Sequence, residues 1–161
     1  MNLATLTSIH TVISLGAILA GFVVVFGMMR RQASPFWIAA FLGSALATSV
    51  TGFFFPFDHF LPSHWVGVVS LIVLGLAVLG HYVFGQSAFW KSIYLMGSII
   101  GLYLLVFVLI VQAFLKVPAL HALAPTQSEP AFAVAQIGAL IFFLILSIAA
   151  ARASRPRPAT T

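Results

Sequence analysis

The stretch Leu3 to Met29 reads LATLTSIHTVISLGAILAGFVVVFGMM and is followed at once by Arg30-Arg31. It contains no Asp, Glu, Lys or Arg, and it exceeds the roughly 20 apolar residues that cross a bilayer core at about 1.5 Å of rise each. Backbone buried in lipid must satisfy its own N–H and C=O groups, so the run reads as a spanning helix. Its first ten residues carry no Lys or Arg and two arginines follow it, which predicts a retained anchor and not a cleaved secretory signal.

Four further uncharged runs have the same character, over about 36–55, 65–84, 93–115 and 131–151. With 62% hydrophobic and 6% charged residues and a mean hydropathy of +1.17, the chain has too little polarity to cover a water-facing surface. The predicted fold is an all-α integral membrane protein, a bundle of five transmembrane helices. Short connections make successive helices antiparallel neighbours. The domain runs over 1–152, and the tail 153–161, with Arg155-Pro156-Arg157-Pro158, is expected to be basic and disordered.

Charge sets the expected orientation. Arg30, Arg31, Lys91, Arg152, Arg155 and Arg157 fall at one end of the runs, whereas the other end holds Lys116 with both acids, Asp58 and Glu129. The positive-inside rule places the amino terminus outside and the carboxyl terminus in the cytoplasm. The net charge of +5 is therefore a topology signal. The cations are split among separate short segments, which excludes a nucleic-acid surface. The expected setting is a bacterial inner membrane, crossed several times.

Chemistry is sparse. The absence of cysteine excludes disulfides, Cys-ligated zinc, iron-sulfur clusters and thiol catalysis. Ser14 lies one turn from His10 without a GxSxG turn or an embedded acid, and the two carboxylates sit on separate loops, so enzymatic readings mostly fail.

Polar groups in lipid turn inward, which makes the polar stripes informative. His10, Ser14, Ala17 and Gly21 share one face of the first helix, and Ser44, Thr48 and Thr51 line the second. Tyr94, Ser98, Gly101 and Gln112 share a face of the fourth, beside a Gly97–Gly101 GxxxG step, and Gln136 opens the stripe of the fifth. Small residues of this kind let helices approach closely. His10, Thr51, Gln112 and Gln136 count to similar depths below the outer surface, and together they are the expected lining of a ligand site.

Above that layer lie Asp58, His59, His64, His121 and Glu129, so every histidine but His81 falls at the outer end. His10, Asp58, His59, His64, His121 and Glu129 are the candidate metal ligands, because neutral imidazole and carboxylate suit a transition metal. Two of the histidines, one of them His10, would suit the axial positions of haem. His81 is expected near Tyr94 at the inner end.

These features predict a binding or accessory protein with an outer-leaflet pocket for an apolar or cofactor-like ligand such as a lipid, quinone or haem. A metal- or haem-dependent redox enzyme using the outer histidines is the alternative, and a structural subunit is a third. The expected partners are the lipid bilayer and either further copies of the chain or a larger membrane complex.

Overall fold

The computed structural model describes residues 2–56 and 62–154, and the described residues are helical with no strand. The elements are α1 (Leu3–Met29), α2 (Pro35–Gly52), α3 (Pro62–Val78) continued by a π-helical turn (Leu79–Val83), α4 (Ala88–Lys116), a short α5 (Pro118–Leu123) and α6 (Pro130–Ala153). Five segments are long and apolar enough to cross a membrane: α1, α2, α3 with its π turn, α4 and α6.

Local signals set the helix starts. Asn2 accepts the Thr5 amide at 2.7 Å and Ser87 accepts the Trp90 amide at 3.3 Å, each satisfying a donor that the first turn leaves unpaired. Pro35, Pro118 and Pro130 open α2, α5 and α6, where a missing N–H costs nothing.

Several bounds differ from the hydropathy reading. The second helix ends at Gly52, short of the apolar Phe53–Phe55, because Pro56 follows and the Phe53 and Phe54 amides close tight turns onto Val50 and Thr51. The third begins at Pro62, so His64 lies within a helix and not in a loop. The fourth begins at Ala88, where Ser87 supplies the cap. The loop after Lys116 contains α5, and the expected tail lies outside the described residues beyond Ser154.

Helix α4 packs against α1, α3 and α6, while α1 also packs against α2 and α2 against α3. The core between them is built on Val24, Val25, Phe41, Leu74, Ile99 and Leu102, all nearly or fully buried. Glycines set the close approaches. A Cβ on Gly97 would lie 3.0 Å from the Ala77 methyl, one on Gly101 2.6 Å from Leu74, and one on Gly21 2.7 Å from Leu102. Lipid supplies no hydrophobic drive between helices, so such backbone approaches, through dispersion, are what hold them together.

The π turn has the same origin. Gly80 is buried, and a Cβ there would lie 2.8 Å from the Trp90 carbonyl oxygen. The Phe84 amide donates to Leu79 O at 2.9 Å, the five-residue step of a π helix. The outer surface is apolar: Val134, Ile137, Ile141, Ile145 and Ile148 of α6 are exposed, consistent with contact to lipid acyl chains.

At the end that carries Arg30, Arg31, Lys91 and Arg152, hereafter the arginine end, Arg31 takes a left-handed backbone (φ 58°). Its guanidinium donates to the Ala153 carbonyl from Nη2 at 3.2 Å and from Nε at 3.4 Å. That cation sits on the carbonyl-rich end of α6, where the helix dipole favours it.

Candidate functional site

Toward the opposite end, which carries Lys116, the four helices α1 to α4 do not close on one another. They enclose a cavity of about 390 Å³, at the lower end of the ~300–1,000 Å³ usual for small-molecule sites. Apolar walls come mainly from Ile18, Phe53, Phe55, Leu105 and Val108. Polar residues border it from every helix: His10 from α1, Thr48 from α2, His64 and Ser70 from α3, and Gln112 and Lys116 from α4.

His10 is held in place. Its Nδ1 lies 2.9 Å from Thr51 Oγ1, and the Thr51 hydroxyl lies 2.7 Å from the Ala47 carbonyl. The contact with Thr51 fixes the orientation of the imidazole and engages Nδ1. Phe55 sets its ring edge-on to the imidazole at 5.2 Å, and Ser14 donates to the His10 carbonyl at 2.6 Å.

His64, in the first turns of α3, is 5% exposed and its ring lies 5.6 Å from that of Phe53. Phe53 in turn covers Gly67, where a Cβ would meet the ring at 3.0 Å. Thr48 is 8% exposed, and its hydroxyl has no hydrogen-bond partner among the described residues. That hydroxyl is closed off from the cavity, which Thr48 borders through its other atoms.

The residues expected from sequence separate into groups. His10 and Gln112 line the cavity, and Thr51 supports His10 from just behind it. Gln136 does not join them; it faces α4 from α6 and donates to the Phe107 carbonyl at 3.3 Å, with its own carbonyl oxygen buried and unpartnered. His64 lines the cavity, whereas His121 sits on α5, 3.3 Å from the Phe114 carbonyl. Asp58 and His59 lie outside the described residues. Among the described residues no three His, Asp or Glu side chains converge as a metal set.

Glu129 closes a turn at the start of α6. Slight desolvation opposes ionisation, but the Thr126 hydroxyl at 2.8 Å and the amides of Thr126 and Ser128 donate to the carboxylate and hold it below the usual range. Gln127, in a left-handed conformation (φ 60°), ties the same loop to α4 through the Val111 carbonyl at 2.9 Å.

Below the cavity Phe41, Leu74 and Leu102 close the bundle. At the arginine end His81 packs its ring 4.5 Å from Tyr94 and 4.6 Å from Tyr82. The Tyr94 and Ser98 hydroxyls are buried there without a partner among the described residues.

Sequence reasoning had not assigned Thr48, Ser70 or Lys116 to a site. Each had a signal: Thr48 lies on the α2 polar stripe, Ser70 interrupts a run of large apolar residues, and Lys116 is the one cation at its end of the bundle.

Among the described residues the fold is an all-helical bundle with five helices long and apolar enough to cross a membrane, and its cavity lies toward the Lys116 end. Comparison with protein-family models, with curated proteins and with solved structures finds no match to this chain.

Proposed function

We propose that the chain is a multi-pass binding or accessory protein of five antiparallel spanning helices, with its amino terminus outside, that holds a small amphipathic ligand in the outer leaflet. The observation that carries this reading is the cavity itself, where His10, His64 and Gln112 stand among apolar walls. Polar atoms in lipid are costly unless partnered, so a cavity that gathers them suits a ligand with a polar head and an apolar body. The positive-inside rule supports the orientation.

Mass spectrometry of protein extracted in mild detergent tests the reading. The expected result is one small amphipathic molecule per chain, lost in a His10→Leu, Gln112→Leu variant that remains folded. Equal retention in both proteins overturns it.

A second reading, b-type haem between His10 and His64, is favoured by one observation: histidines from two helices line the same cavity. The Thr51 contact leaves Nε2 as the ligating atom of His10. A Soret band in the purified protein, absent from His10→Leu and His64→Leu, is its expected mark. A colourless preparation from haem-supplemented cells removes it.

A further inference from the structure

We propose that the ligand of this cavity is a single-chain amphiphile with an anionic head, of the long-chain carboxylate class, and that Lys116 selects it. The proposal rests on the pocket reading above and adds the charge of the ligand to it. Lys116 is the one cation among the residues lining the cavity, and no Asp or Glu appears among the described lining residues. It stands in the last turn of α4, so its ammonium can remain near the aqueous boundary while its stem borders the apolar wall.

Behind it the donors match a carboxyl group. The Gln112 side-chain amide, one turn before Lys116 on the same helix, lines the cavity and offers two N–H groups to a carboxylate oxygen. A long-chain alcohol offers one hydroxyl and no charge to pair with the ammonium. On α4 the wall below Gln112 is apolar, made by Leu104, Leu105, Val108 and Leu109, and suits an acyl chain. A cavity of about 390 Å³ suits one chain better than the two of a phospholipid.

The test uses the full chain in nanodiscs of zwitterionic lipid, titrated with a fluorescent polyene fatty acid and with the corresponding polyene alcohol, each corrected for uptake by empty discs. The acid is expected to bind saturably and about tenfold more tightly than the alcohol, the scale of one charge-assisted hydrogen bond. Lys116→Gln should lower acid affinity to that of the alcohol and leave the alcohol unchanged, whereas Lys116→Arg should retain the preference. Equal affinities for acid and alcohol, or no response to Lys116→Gln, overturn the anionic assignment while saturable binding upholds the pocket. Absence of saturable binding by either probe overturns both. Displacement of the acid by phosphatidylglycerol as potently as by an unlabelled fatty acid overturns the single-chain assignment and identifies a lipid headgroup as the source of the charge.

Discussion

The two halves of the bundle are built from the same kinds of residue, yet one closes and the other stays open. In the arginine half several glycines are closed over by a neighbour: Leu102 and Phe41 fill the space over Gly21, Leu74 that over Gly101, and the backbone of Trp90 that over Gly80. In the Lys116 half Ser14, Thr48, Ser49 and Ser70 all border a space that their neighbours leave open. Small residues are therefore not sufficient to draw membrane helices together; the partner helix must supply the complementary bulk.

The strongest way to break this contrast is to supply that bulk. Ser14→Phe directs a ring into the cavity, and complete loss of probe uptake is expected with the helical circular dichroism unchanged. Retained uptake would show that the ligand does not occupy this space.

In the tight half Gly80→Ala forces a methyl against the Trp90 carbonyl, and overpacking of this kind costs about 1–3 kcal/mol. A lowered melting temperature in detergent is the expected reading, and an unchanged melt would mean that the π turn relaxes freely.

A smaller effect isolates the support of His10. Thr51→Val keeps the shape and removes the hydrogen-bond partner of Nδ1, a loss of about 1 kcal/mol and so several-fold in ligand affinity. Binding isotherms that superpose on wild type would remove Thr51 from the site. Smaller still, Gly16→Ala and Gly43→Ala place a methyl in open space and should be neutral or stabilising by up to about 0.5–1 kcal/mol. A marked loss in the melt would show that another chain covers those faces.

The smallest effect lies outside the membrane. The folded-state pKa of Glu129 is lowered, so its turn is fully stabilised above the ordinary carboxylate range and loses that contribution as pH falls through the lowered value. The Thr126 amide resonance should report this inflection, and Glu129→Gln should abolish it.

The helices were legible because bilayer thickness imposes a length that hydropathy counts directly. Depth was legible for the same reason: His10, Thr51 and Gln112 meet as their distance from the helix ends implied. Azimuth was not. Gln136 has the right depth, but α6 packs on the far side of α4, and only the order of the helices decides that. The π turn at Leu79–Val83 was equally hidden, since it follows from the contact of Gly80 with a helix close in sequence but unfixed in register. His64 looked like a loop ligand because Pro62 reads as easily as the end of a loop as the start of a helix.

The Arg31–Ala153 contact joins residues 122 apart in sequence. In a chain made from its amino end, this arginine precedes by 122 residues the carbonyl it will hold, so the contact forms only once α6 is in place. The seating of α6 is thus recorded at the turn between α1 and α2.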